Sequence, residues 1–274
     1  MRQFPLVLLA VFPCLVSAQD ARDIIRRAVD LDRKNLEQAR NYTYVEHQET
    51  RILDSAGALK EKNSRTTDVI WLEGSPYRQL VAKDDKPLAS ADQQKEDAKL
   101  RSDKEIRSHE TAAQRNERLA AWDRRQARMH EPLSEAPDAF TFKLAGEETL
   151  NGRAAWVIDA VPVPGYKPKH QSSQYLPHVK ARLWIDKANY QWLKADGETL
   201  DTIAFGAFLV RVAKGTHIVM EQAPVDAQAW MLTRVSLRGS VRIALVKVIH
   251  GTFDFAWNDF KRAPAEQHQA TAAQ

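Results

Sequence analysis

Three side chains in one stretch have the types that do acid–base or metal chemistry: Tyr166, His170 and His178, in or beside the run Pro162-Val163-Pro164-Gly165-Tyr166-Lys167-Pro168. A loop imidazole can act as a general base or a metal ligand, because its ordinary pKa lies near neutrality. A hydrolase would have to gather such groups around its substrate, and this is the stretch in which to look for them. A metal centre asks for more ligands. Neither a cysteine cluster nor a second histidine pair accompanies these residues, so the expectation is solvated histidines, no metal and no cofactor. His47, His217 and His250 fall inside strand-like runs, where a half-buried histidine with one hydrogen bond is the ordinary outcome. The carboxylate pairs Asp84-Asp85 and Glu147-Glu148 belong at a turn or a solvent edge.

Motifs that place reactive groups or phosphate-binding backbone are missing. The sequence has no G-x-S-x-G elbow, no G-x-x-x-x-G-K-[ST] loop, no G-x-G-x-x-G turn and no H-E-x-x-H pair. The expectation is a protein without catalysis. Aromatic residues carry a clearer signal. Trp184, Tyr190 and Trp192 occupy one hairpin-like stretch, so both faces of its strands bear large apolar groups. A sheet that is covered on both sides, or that lines a pocket on one, has that pattern.

These residues need a scaffold of strands. Asp20 to about Ala39 repeats Ala21, Ile24, Ile25, Ala28, Leu31, Leu36 and Ala39 at helical spacing, with Asp20 placed to cap it. Strand patterns then run over Tyr42 to Leu53, Leu59 to Leu72 and Tyr77 to Lys83. From Ser90 to about Met129 glycine and proline vanish and opposite charges sit three or four apart, which predicts a solvated helical insertion without chemistry that contributes little to the core, with a partner-docking arm or a lid over a cavity as the alternative. After Pro132 and Pro137 strands resume: Phe140 to Leu144, then the Asn151-Gly152 hairpin turn, then Trp156 to Val161. Further strands are expected over 179–186, 190–196, 207–213, 216–222, 230–238, 241–249 and 252–257, with Arg238-Gly239-Ser240 read as a turn. Ten or eleven short strands make a mainly β (α+β) protein: one large curved antiparallel sheet, a half-open barrel with the N-terminal helix on its concave side. By alternation the inward wall consists of Phe140, Phe142, Leu144, Trp156, Ile158, Leu183, Ile185 and Leu193, an assignment that a one-residue slip in register reverses.

Residues 183–187, Leu-Trp-Ile-Asp-Lys, followed by residues 190–195, Tyr-Gln-Trp-Leu-Lys-Ala, in a chain that leads with an apolar segment, an amphipathic helix and a meander, resemble the LolA/LolB-like superfamily. The whole is similar to the outer-membrane lipoprotein-sorting-protein-like chains of the bacterial envelope. The resemblance implies a carrier or binding protein that shields an acyl chain of a lipid or lipidated protein in an apolar cavity. A second reading in the same family is an envelope-stress sensor that binds lipid and an envelope protein partner; the hydrolase reading places its chemistry at Tyr166, His170 and His178. The long charged segment at about 90–130 departs from a compact carrier.

Met1-Arg2-Gln3, the apolar run from Phe4 to Val16 and the small residues Ser17-Ala18 have the order of a cleavable export signal, with Gln19 as the new N-terminus and the periplasm or cell envelope as the destination. Pro13 before Cys14 speaks against lipid attachment there. Cys14 is the only cysteine of the 274 residues, so residues 19–262, expected to form one domain, have no thiol chemistry, and 263–274 read as a polar tail. A charge of +4, 28% charged residues and a mean hydropathy of −0.50 argue against nucleic acid as partner and against an integral membrane span.

Overall fold

The computed structural model describes residues 20–205, 210–244 and 247–263. The export signal, Gln19, Cys14 and nearly all of the polar tail therefore lie outside the described residues. The chain begins with helix α1 (Ala21–Ala39), and the Asp20 carboxylate accepts from the Arg22 N–H at 2.9 Å as its cap. Strands β1 (Tyr42–Leu53), β2 (Leu59–Leu72), β3 (Ser75–Lys83) and the short β4 (Lys86–Pro87) follow. Two helices, α2 (Ser90–Ser108) and α3 (Ala112–Ala139), separate them from β5 (Phe140–Leu150), β6 (Arg153–Pro162), β7 (Val179–Asp186) and β8 (Trp192–Thr199). The chain closes with β9 (Ile203–Phe205), β10 (Val210–Val212), β11 (His217–Pro224), β12 (Trp230–Ile243) and β13 (Lys247–Arg262).

All thirteen strands belong to one antiparallel sheet in the order β4-β3-β2-β1-β13-β12-β11-β8-β7-β6-β5, with β10 pairing with β12 and β9 with β10 off that path. The sheet is curved and does not close: β4 and β5 are its two edges. Strand β1 pairs with β13, so the first and last strands hold the two halves together.

Strands β12 and β13 depart from the sequence expectation. Arg238-Gly239-Ser240 is not a turn: β12 runs straight through Gly239, and β13 runs through Gly251. A Cβ on Gly239 would come within 2.3 Å of the Thr216 hydroxyl, and one on Gly251 within 2.0 Å of the Arg51 carbonyl oxygen. These glycines permit close approach within a sheet, the other use of glycine in a strand.

The charged stretch expected at about 90–130 is two helices and runs further. A break at His109 and Glu110 is followed by a capping box, Thr111 with Gln114, that starts α3. Helix α3 then continues past Pro132 and Pro137 to Ala139, where proline's missing N–H leads one to expect an end. Tertiary contacts hold it: Pro132 is buried, Leu133 packs against the α1 core, and Glu135 is gripped by the loop after β6. Helix α2 buries no residue. It is nevertheless tied down, because Arg107 donates to the Leu72 carbonyl at 2.8 Å while Arg118 of α3 donates to the Ser75 hydroxyl at 2.6 Å and the Glu73 carbonyl at 3.0 Å. Trp122 meets Trp71 edge to face at 5.3 Å between ring centroids.

Helices α1 and α3 lie antiparallel, joined by Arg22–Asp138 at 3.1 Å, His130–Asp32 at 3.2 Å and Arg40–Asp123 at 2.6 Å. Since β4 precedes α2 and β5 follows α3, the helical pair carries the chain from one sheet edge to the other. Among the described residues no helix is long and apolar enough to cross a membrane.

Candidate functional site

Cross-strand partners point to the same face of a sheet, so register alone traces a face across it. One row runs Ile158, Leu183, Ala195, Met220, Val235, Phe255, Gln48, Arg65, Lys83, from β6 to β3. The adjacent row on that face runs Ala160, Ala181, Gly197, Ile218, Leu237, Phe253, Thr50. Both rows are apolar from β6 to β13 and turn polar at β1.

Helix α1 covers one half of this apolar face. Its Ala21, Ile24, Ile25 and Ala28 pack with Trp156, Ile158, Ala160, Leu183, Ile185 and Trp192, all buried. Further along α1 the buried positions are Asp32 and Asn35, not the expected Leu31 and Leu36. Asp32 accepts from Gln222 at 2.8 Å and Asn35 donates to Gln191 at 2.7 Å, so a polar seam ends the covered half. Beyond it the face opens. Ile218, Val235, Leu237, Phe253 and Phe255 are half-buried and Met220 is 44% exposed, in adjoining positions of β11, β12 and β13. A contiguous apolar patch left open in this way is a candidate binding surface.

At its β1 side the patch meets a buried carboxylate. Burial pushes the Glu46 carboxyl up, but the Arg78 guanidinium at 2.6 Å and the Trp257 N–H at 2.9 Å outweigh it and hold the group below its ordinary value. The patch is thus bordered at β1 by a buried carboxylate paired with Arg78.

The eight wall residues expected from alternation divide unevenly. Trp156, Ile158, Leu183 and Ile185 lie in the α1-covered core, Phe140 and Phe142 pack at its margin, and Leu144 is 40% exposed beside a β-bulge between Leu144 and Gly146. Leu193 is on the opposite face, clustered with Ala155, Val157, Trp184 and Trp230. An irregularity between β7 and β8 sets Trp192 opposite Ile185, which turns its neighbour Leu193 outward. Both faces of this hairpin are thus apolar and covered: cationic side chains lie over the outer one, Lys194 at 4.8 Å from the Trp184 ring and Arg153 at 4.9 Å from Trp230. The six residues of the open patch were missed in sequence. Phe253, Phe255 and Trp257, large apolar residues alternating with Asp254 and Ala256, could have pointed to two of them.

Asp186, the acid of the Trp-Ile-Asp step, is buried and caps the β7–β8 turn, accepting from the N–H groups of Ala188 at 2.7 Å and Asn189 at 3.2 Å and pairing with Arg153. Its place in the motif is structural.

The stretch searched for acid–base chemistry separates. Tyr166 and His170 converge on Glu135 of α3: the tyrosine hydroxyl donates at 2.7 Å, the Lys169 N–H at 2.9 Å, and the His170 Nδ1 lies at 2.6 Å. His178 pairs instead with Asp201 at 2.7 Å. Burial alone would raise the Glu135 carboxyl, but these donors outweigh it and hold its pKa at about 2, while burial and the same carboxylate push Tyr166 up to about 12. A carboxyl depressed in the folded state stabilises above its ordinary value of 4.5 and loses that contribution as the pH falls toward 2. Glu135→Gln is expected to cost about 2 kcal/mol at neutral pH, by weakening charge-assisted bonds, and to flatten the loss of melting temperature between pH 4.5 and 2. Thermal melts across that range check it; an unchanged slope would show that Glu135 is not the anchor. His47, Glu49 and Asp85 also approach one another, but Lys62 stands 2.9 Å from both carboxylates and supplies the positive charge a metal would bring.

No family model matches this chain and no curated protein matches it. Solved structures do. A putative outer membrane lipoprotein-sorting protein domain from Vibrio parahaemolyticus is 11% identical, with 89% of this chain and 93% of that one covered and a TM-score of 0.38. A LolA superfamily protein from Nitrosomonas europaea is 12% identical over 91% and 97%, with a TM-score of 0.33. A DUF1329 family protein from Desulfovibrio piger is 13% identical over 88% and 92%, with a TM-score of 0.32. With TM-scores below 0.5, these likenesses carry no inference about ligand or role.

Proposed function

We propose that the chain is a non-catalytic binder or carrier of acyl chains, free lipid or lipidated protein, in the bacterial cell envelope, and that it holds them on the open half of the apolar face. The supporting observation is the six-residue patch of Ile218, Met220, Val235, Leu237, Phe253 and Phe255, left open where α1 ends its cover. Each methylene removed from water on such a surface contributes about 0.8 kcal/mol, so contact area alone can retain one chain. Phe140, Phe142, Leu144, Trp156, Ile158, Leu183 and Ile185 have a supporting part in this reading, since they seat α1 and so set where the cover stops. The export signal expected over Met1 to Ala18 supports an envelope location in this reading.

The test is binding of a fluorescent fatty-acyl probe. Phe255→Glu sets a charge on a half-buried site, and is expected to weaken the probe at least about tenfold, since a desolvated charge costs well over about 1.4 kcal/mol. Its melting transition should stay near that of the parent. Parent-like affinity in a folded Phe255→Glu protein would remove the patch from the site.

A further inference from the structure

Strand β5 ends the sheet without a cover. The opposite edge is short and tied down: β4 is Lys86–Pro87, Gln79 of β3 donates to Asp97 of α2 at 3.0 Å, and Arg107 of α2 donates to the Ser75 carbonyl at 3.2 Å. Strand β5 has 11 residues and no proline, and Thr141 and residues 143–149 are all exposed. An edge of that length offers a row of free N–H and C=O groups to another strand. Bulges and charges normally restrict what such an edge accepts. Here they are the bulge between Leu144 and Gly146 and the side chains Lys143, Glu147 and Glu148, and their order selects a partner.

Register against β6 assigns the faces. Phe142, Leu144, Glu147 and Thr149 stand opposite Ala160, Ile158, Trp156 and Ala154 on the α1 side, whereas Thr141, Lys143, Glu148 and Leu150 point the other way. The bulge thus reverses the alternation half-way along the strand. An antiparallel neighbour must set like faces together, so the first half of β5 fits the second half of another β5. Face-matched pairings of two copies set Lys143 opposite Gly146, Glu148 or Leu150 of the other copy, and the middle choice alone joins opposite charges. It also sets Phe142 opposite Thr149, Leu144 opposite Glu147 and Thr141 opposite Leu150. Both bulges then meet at the two-fold axis, which leaves these four pairs unbroken on either side of it. Both charges have capacity for the contact. Asp159, opposite Lys143, has its two oxygens on Arg182 at 2.7 and 3.0 Å, and Glu148 uses one oxygen for the Trp184 N–H at 2.8 Å.

We propose that two copies of this chain associate edge to edge through antiparallel β5 strands, with Lys143 of each opposite Glu148 of the other. The sheet then continues from one copy into the next under closed two-fold symmetry. Backbone groups of the two edges supply the hydrogen bonds, and the two ion pairs fix the register, because opposite charges directly across strands attract and like charges repel. Within one copy Lys143 and Glu148 stand about 15 Å apart along the strand, so they meet only between copies. The inference does not rest on the acyl-binding reading, since no residue of the open patch belongs to β5 and each copy keeps its own patch.

Analytical ultracentrifugation of the full chain over a range of concentrations tests it. The parent is expected to show a reversible monomer–dimer equilibrium. Lys143→Glu turns both attractions into repulsions and should weaken the dimer roughly thirtyfold, as should Glu148→Lys. An equimolar mixture of these two variants should recover the dimer, because each cross-copy pair between unlike variants is again one acid and one base. A defect of folding in either variant would not be repaired by mixing. Should Lys143→Glu not melt like the parent, Lys143→Gln removes the attraction without adding a repulsion and is expected to weaken the dimer roughly fivefold. Folded variants should bind the soluble acyl probe as the parent does. A parent that stays monomeric at every concentration would overturn the inference, as would parent-like association of Lys143→Glu or a mixture no more dimeric than its components. A monomeric parent whose edge takes up an extended peptide would assign β5 to a different protein and overturn self-association.

Discussion

Ile185→Asp is expected to abolish folding, an effect larger than any binding defect. Ile185 is fully buried between Trp156, Trp192 and the α1 residues Ile24, Ile25 and Ala28. Losing its aliphatic contacts costs about 2–5 kcal/mol. An unpaired carboxylate in the same place adds several more, or titrates up and remains an unsatisfied acid. Together these approach the whole stability of a typical domain, about 5–15 kcal/mol. Far-ultraviolet circular dichroism and urea unfolding check the outcome: no cooperative transition, or one displaced far toward low denaturant. A parent-like midpoint would mean that α1 does not cover this half of the sheet, and the candidate wall would have to be returned to the binding surface.

Gly251→Ala is the second large effect, and the smallest change in chemistry. The added methyl would stand 2.0 Å from the Arg51 carbonyl oxygen and 3.0 Å from its carbon, so it meets backbone that cannot rotate away. Strands β1 and β13 must then part, and that pairing is the junction of the two halves of the sheet. Overpacking of this kind costs about 3 kcal/mol, with more expected for Gly251→Val. Gly57→Ala is the control. Nothing lies within 4 Å of a Cβ there, and the cost, set by its φ of +82°, is about 1 kcal/mol. Equal losses in the two variants, measured by urea unfolding, would contradict the close approach at Gly251.

Much of this architecture was legible because local pattern and tertiary demand agree. The apolar spacing from Ala21 to Ala28 and the Asp20 cap specify α1, and the Asn151-Gly152 turn specifies β5–β6, with positive φ at both residues. Gly239 misled because a glycine in a turn and a glycine under a neighbouring side chain look alike in one dimension; only the third dimension brings Thr216 to it. Pro132 and Pro137 misled for the converse reason: the local cost of proline is met by burial and by the Glu135 anchor, which come from distant residues.

Which strand residues share the α1-covered face was legible in part. Alternation put Ile158, Leu183 and Ile185 on the apolar face correctly, but the extent of the helix cover depends on Asp32 and Asn35 finding Gln222 and Gln191 across the fold. No local signal announces that partnership. Leu193 went to the wrong face through a single irregularity in register, to which a strand's two-residue period is most sensitive.

A photoreactive fatty acid, cross-linked to the parent protein and located by peptide mass spectrometry, tests the acyl-binding account most directly. Adducts are expected on the peptides carrying Ile218 to Met220 and Phe253 to Phe255, with competition by unlabelled fatty acid. Adducts confined to other surfaces, or none that unlabelled fatty acid displaces, would contradict it.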